Sequence, residues 1–255
     1  MPGVNDVKIA VVGSINIDYT VYVEKRPVAG ETVTGSDVMV NTGGKGANQA
    51  VAAARTGAFV QMIGCVGDDH NSEIAMEALK KQNVGTAGIK TVNSRHTGMA
   101  VIMLDNLKEN SIVVCPGANH AIQFADIKQS LDALPCLKLI VLQLEIPMDC
   151  VTETIKYAAK RNVKVFLDPA PVPSSGLPEE VYPLLDYISP NSIEAEMLSG
   201  IKVVNADSAR NAAKKFLDKG VKNVIIKLGE SGVYAVNKDE EIMFPAFKVD
   251  VVDTT

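Results

Sequence analysis

The chain has 255 residues, 47% of them hydrophobic and 22% charged, with a formal net charge of −5. That length suits one large domain with a sizeable core, and the acidic balance argues against a phosphate-backbone binder. No window approaches the roughly 18 consecutive apolar residues of a membrane span, and the N-terminal segment MPGVNDVKIAVVGS does not read as a secretory leader. Cys65, Cys115, Cys136 and Cys150 are widely spaced, and His70, His96 and His120 do not stand at metal-ligand spacing. The expectation is a cytoplasmic protein with free thiols and no structural zinc.

In chain order, short runs rich in Val and Ile alternate with amphipathic stretches. Strands are expected over 8–13, 59–64, 137–144, 163–168 and 223–227, and helices over 46–55, 72–82, 126–134, 148–161 and 208–219. In the last helix Ala212, Ala213, Phe216 and Leu217 follow the i, i+3, i+4 rule, with lysines on the other side. Gly57 and Gly220 stand just past their helices, where a left-handed residue is wanted. Uniformly apolar strands separated by helices predict a three-layer α/β/α body around a mainly parallel sheet. Two segments, about 18–41 and 96–116, break the rhythm with extended polar–apolar alternation and a hairpin signature around 105–110. They are read as a small antiparallel flap within one domain, 1–255.

Three segments carry chemistry. Asn41-Thr42-Gly43-Gly44-Lys45-Gly46-Ala47-Asn48 runs into a helix, so its glycines allow close backbone approach while helix N–H groups point into the same space. Lys45 and Asn48 add donors suited to hydroxyl groups. The run is neither a Walker A loop nor a GxGxxG fingerprint, and a tight strand-to-helix turn would account for the glycines equally well. Asn16 and Asp18, two apart after the first strand, face one way in extended chain and can grip a diol. An Asx-stabilised turn is the plainer alternative. Further on, Asn191 and Glu194 have the spacing of a capping box after Pro190, and Leu228–Gly232 reads as a hairpin turn.

Taken together, VGSINID at 12–18, PVAGETVTG at 27–35 and GGKGANQAVAAARTGA from Gly43 resemble the ribokinase family of PfkB-type carbohydrate kinases. The likeness continues through GCVGDD, PGAN at 116–119, QLE at 143–145, DPA at 168–170, SPNSIEAE at 189–196 and LGESG at 228–232, in the family's order. It implies transfer of the ATP γ-phosphoryl group to the primary hydroxyl of a pentose, D-ribose to ribose 5-phosphate in the first place. Deoxyribose, another sugar, a nucleoside such as adenosine, or a sugar-binding module without catalysis remain alternatives. By resemblance, Asn16, Asp18, Gly44, Lys45, Asn48 and Glu145 line the sugar pocket, with Glu145 expected at the end of a strand. Asn191, Lys227, Gly229 and Gly232 would meet the ATP, and Glu194 would organise Mg²⁺ indirectly. Asp253 and Thr255 match positions that help bind a monovalent cation such as K⁺. The flap corresponds to a lid that closes over the sugar and supplies a homodimer contact. In the family the final Asp253-Thr254-Thr255 runs into a G-A-G-D turn holding the anion hole and the catalytic base. The sequence ends before that turn, so no catalytic residue carries a number here and the chain alone is expected to be weakly active or inactive.

Overall fold

The computed structural model describes residues 8–248, and the chain divides into two compact units, Met1–Thr154 and Ile155–Thr255.

The first unit is built on four parallel strands in the order β8-β1-β4-β5: β1 (Lys8–Val12), β4 (Phe59–Gly67), β5 (Val84–Val92) and β8 (Leu137–Leu142). The central strands are apolar because both faces are covered, and Ala10, Val11, Val12 and Met62 are fully buried. Helices α1 (Lys45–Arg55), α2 (His70–Lys81) and α3 (Phe124–Asp132) connect or flank them, and α4 (Met148–Lys160) carries the chain into the second unit. Strand β5 was not expected from its sequence, VGTAGIKTV, whose glycines imitate a loop. They are there for packing: a Cβ on Gly88 would lie 2.9 Å from Ile63 and from the Met62 carbonyl.

A second sheet of this unit has the order β3-β2-β6-β7, formed by β2 (Asn16–Val23), β3 (Gly35–Gly43), β6 (Gly98–Leu104) and β7 (Asn110–Cys115). It is the expected flap, with one correction. The β2–β3 and β6–β7 pairs are antiparallel, whereas the central β2–β6 pair is parallel. Strands β1 and β5 run the same way, and short connections lead from them into β2 and β6, which are parallel to each other.

The second unit carries β9 (Lys164–Leu167), β10 (Tyr187–Ile188), β11 (Asn223–Lys227), β12 (Val233–Asn237) and β13 (Glu241–Phe244), adjacent in that order. The first three are parallel, β12 returns antiparallel to β11, and β13 is antiparallel to β12. Helices α5 (Ser192–Ser199) and α6 (Ala206–Asp218) belong to it. The expected face of α6 is buried through Ala212, Ala213 and Phe216, with Leu217 half-buried at its margin. Phe216 stacks on buried Tyr182 at 6.3 Å between ring centres. Gly57 and Gly220 take φ of 89° and 95°, the left-handed geometry anticipated for residues that end a helix.

Candidate active site

In the first unit the turn 13–16 joins β1 to β2 and faces the start of α1. Its closeness is what the glycines permit. A Cβ on Gly46 would lie 2.7 Å from Ser14 backbone atoms, and one on Gly44, itself at φ 88°, would lie 2.8 Å from Asn16 N. Gly44 is the N-cap of α1 and Lys45 its first residue. The Gly43 site abuts the Asp18 carboxylate, which a Cβ there would meet at 2.0 Å.

Around this turn the polar groups form a network. Ser14 Oγ donates to Glu145 Oε2 at 2.5 Å and accepts from the Gly46 N–H at 3.3 Å. The Lys45 N–H donates to the same Glu145 oxygen at 3.1 Å, while Lys45 Nζ pairs with Oε1 at 3.0 Å. Glu145 is therefore held by three donors from two segments. It does not end a strand as expected: β8 stops at Leu142, and the chain bends through Glu145, which lets the carboxylate reach the α1 N-terminus. Asp18 lies within the field of both partners. Burial raises its carboxyl above the ordinary value of 3.8, the Glu145 charge raises it further, and the Lys45 ammonium pulls it back. Its Oδ1 is buried and has no hydrogen-bond partner among the described residues. A buried acceptor left open is costly unless a ligand supplies the donor.

Asn16 opens β2 at 5% exposure, with its Oδ1 taken by Asn119 Nδ2 at 2.8 Å. Asn48 lies exposed on the first turn of α1. A cavity of about 430 Å³ between α1 and α2 is lined by Asn16, Gly43 and Asn48 and extends to Arg55 and Gln82. Asp18, Lys45 and Glu145 lie outside its lining. Two bonded groups thus flank the turn, Ser14 with Lys45 and Glu145 on one side and Asn16 with Asn119 on the other, while Asp18 feels the Glu145 and Lys45 charges without a hydrogen bond of its own and Asn48 lines the cavity. Donors and acceptors alternate there as a polyhydroxylated ligand requires. Ser14 and Asn119 hold these two groups although residue type alone did not single them out; their signal was placement inside the GSINID and PGAN runs.

In the second unit, candidate residues gather where β9, β10 and β11 end. Asn191 caps α5: its Oδ1 accepts from the Glu194 N–H at 2.9 Å, and Glu194 Oε2 accepts from the Asn191 N–H at 2.7 Å. This is the reciprocal box anticipated from the spacing. Lys227, the last residue of β11, donates from its N–H to the Pro190 carbonyl at 2.9 Å and from Nζ to Asp168 Oδ1 at 2.8 Å. Gly229 and Gly232 lie in the tight β11–β12 turn at φ of 57° and 97°. Gly229 has open space where a Cβ would stand, so a ligand could approach its backbone closely, whereas a Cβ on Gly232 would lie 2.0 Å from the Phe244 carbonyl and that glycine is required by packing. Asp253 and Thr255 lie outside the described residues. No cluster of three or more His, Cys, Asp or Glu side chains occurs among the described residues.

The ribokinase of Haemophilus influenzae is 40% identical over 247 residues, covering 97% of this chain and 80% of that protein. The deoxyribokinase of Salmonella typhi is 36% identical with the same coverage. The structure of Arabidopsis thaliana ribokinase complexed with ribose and ATP superposes at a TM-score of 0.87 and 30% identity, over 96% of this chain and 80% of that one. The fold is accordingly the ribokinase-like α/β fold. The pattern described as pfkB family carbohydrate kinase matches residues 6–255, and the chain belongs to that family.

Proposed function

We propose that the chain supplies the sugar and nucleotide sites of a kinase that transfers the γ-phosphoryl group of ATP to the primary hydroxyl of D-ribose, giving ribose 5-phosphate and ADP. The observation that carries the reading is the half-buried Asp18 carboxylate beside the Lys45–Glu145 pair, whose buried Oδ1 has no donor among the described residues. A sugar hydroxyl supplies that donor. Asn16, Asp18, Gly44, Lys45, Asn48 and Glu145 form the sugar site. Asn191, Lys227, Gly229 and Gly232 meet the nucleotide, and Glu194 orients Mg²⁺ on the phosphates. With Mg²⁺ bound, the charge spread over the transferring phosphoryl group is neutralised. Asp253 and Thr255 are the candidate ligands of a monovalent cation, K⁺ in the first place. No residue of the chain is proposed as the base that takes the hydroxyl proton.

Deoxyribose is the second substrate to weigh, because the Salmonella typhi deoxyribokinase is 36% identical over nearly the whole chain. The lid strands expose Val38, Val40, Val113 and Val114, a surface that favours a homodimer through the lid. Four free thiols suit a reducing compartment, and the cytoplasm is the proposed location. Burial pushes Cys65 and Cys150 up to about 11, so neither is a reactive nucleophile at neutral pH. Among the described residues no helix is long and apolar enough to cross a membrane.

The test is label transfer. With γ-labelled ATP, Mg²⁺ and K⁺, label is expected in ribose 5-phosphate ahead of deoxyribose 5-phosphate and of adenosine monophosphate. Label found only in one of the latter two would replace the substrate, and label found only in inorganic phosphate would overturn the reading.

A further inference from the structure

Asn16 is the ambiguous member of the sugar site, because its amide can present either a carbonyl acceptor or an NH₂ donor. What it presents is decided by its neighbours. The Ile15 N–H can only donate, and Asn119 Oδ1 receives it at 2.9 Å. That orientation turns Asn119 Nδ2 onto the Ile15 carbonyl at 3.2 Å and onto Asn16 Oδ1 at 2.8 Å. All three bonds are buried. The Asn16 carbonyl is thereby consumed, which leaves its Nδ2 as the group available to a ligand. Two backbone groups of fixed polarity thus dictate, through Asn119, the polarity of a side chain they do not touch.

Asn119 is well placed for this, at 2% exposure on a short 3-10 turn, Gly117–Ala121. Its own N–H donates to the Pro116 carbonyl at 3.0 Å, and the adjoining Ala118 N–H donates to the His96 carbonyl at 2.9 Å. Gly98, opening β6, leaves the space: a Cβ there would lie 2.2 Å from both Asn119 Nδ2 and Asn16 Oδ1.

We propose that Asn119 is a positioning residue for sugar recognition, locking the Asn16 amide so that Nδ2 donates to a sugar hydroxyl oxygen. The protons of the bound hydroxyls then go to acceptors such as Asp18, whose Oδ1 is open. The inference rests on the sugar-kinase reading and adds the hydrogen-bond polarity of one subsite.

The informative variant is Asn119→Asp. It keeps the acceptor for the Ile15 N–H but loses the donor to Asn16, so the Asn16 amide turns its Nδ2 toward the new carboxylate and its carbonyl toward the pocket. Calorimetric titration with ribose is expected to show affinity weakened about 10-fold or more. Affinity for a non-hydrolysable ATP analogue should be unchanged. Fluorine accepts weakly and never donates, so 2-deoxy-2-fluoro- and 3-deoxy-3-fluororibose, each set against its deoxy counterpart, report the polarity. In the natural protein one fluoro sugar should outbind its deoxy partner, and in Asn119→Asp that advantage should vanish. Undiminished ribose affinity in the variant would overturn the proposal. So would an equal loss for every sugar accompanied by a lowered melting temperature, which marks a structural role only. If deoxyribose or adenosine binds in place of ribose and loses affinity in the variant, the polarity proposal stands and the ribose reading falls. If no sugar or nucleoside binds the natural protein, both fall.

Discussion

At the residue scale, Asp18 sets ligand binding against stability. Burial first, and then the Glu145 charge, raise its carboxyl above 3.8, with Lys45 opposing. A carboxyl raised in the folded state binds its proton more tightly there than in the unfolded chain. Stability is therefore favoured below the unfolded value and declines as pH rises through the folded one. Asp18→Asn removes that decline, so its melting temperature is expected to exceed that of the natural protein at neutral pH. The gain should fade by about pH 3, where both carry a neutral group. Scanning calorimetry at the two pH values checks this, and a destabilised variant at neutral pH would mean that Asp18 is held by donors. Gly46→Ala should act in the opposite sense, because its Cβ would meet backbone at 2.7 Å and nothing there can rotate away. A loss of about 1–3 kcal/mol in denaturant unfolding is expected. The glycines, Asn16, Asp18 and Lys45 were legible because two short motifs, at 12–18 and from Gly43, resemble those of the family in the same order; taken alone, each motif could equally have been a turn. Ser14 and Asn119 were not, since their partners are 131 and 104 residues away and only the folded chain makes them neighbours.

At the scale of elements, the N-terminus of α2 joins body and lid. Asp69 caps it by accepting from the Ser72 N–H at 3.0 Å. The same carboxylate takes the Thr97 N–H at 2.7 Å and the Thr97 hydroxyl at 2.6 Å, just before β6. Burial pushes this carboxyl up, but the Thr97 and Ser72 donors outweigh it and hold it below 3.8. A depressed carboxyl contributes stability that is present above its unfolded value and lost as pH falls through the folded one. Asp69→Ala should thus destabilise the protein at neutral pH by about 1 kcal/mol or more, and the difference should close in acid. Urea titrations at neutral pH and near pH 3 measure it; a pH-independent difference would assign the effect to packing. Element identity followed closely from apolar periodicity, and the α5 box followed from its N-x-x-E spacing. What escaped was set by neighbours. The β5 glycines serve packing against β4, and β2 pairs in parallel with β6, a strand 75 or more residues away in sequence (Val23 to Gly98), which no local pattern announces. Glu145 passed for a strand end because QLE continues an apolar run, whereas the chain bends to deliver its carboxylate to Lys45.

At the scale of the whole molecule, the lid presents apolar side chains that a lone chain would leave wet. Val113 and Val114 are 55% and 50% exposed on β7, and Val38 is 54% exposed on β3. On the proposed lid interface, Val113→Asp is expected to lower association in sedimentation experiments, because a buried charge there would be left without compensation. A natural protein that sediments as a monomer at micromolar concentration would remove the lid from consideration as an interface. The central claim is narrower than assembly: the network around Asp18 is a sugar site. Calorimetric titration of the 255-residue chain and its Asp18→Asn variant with ribose tests it most directly. One ribose per chain is predicted, with affinity about 10–100-fold weaker in the variant. No ribose binding by the natural chain, or equal binding by both, would contradict it.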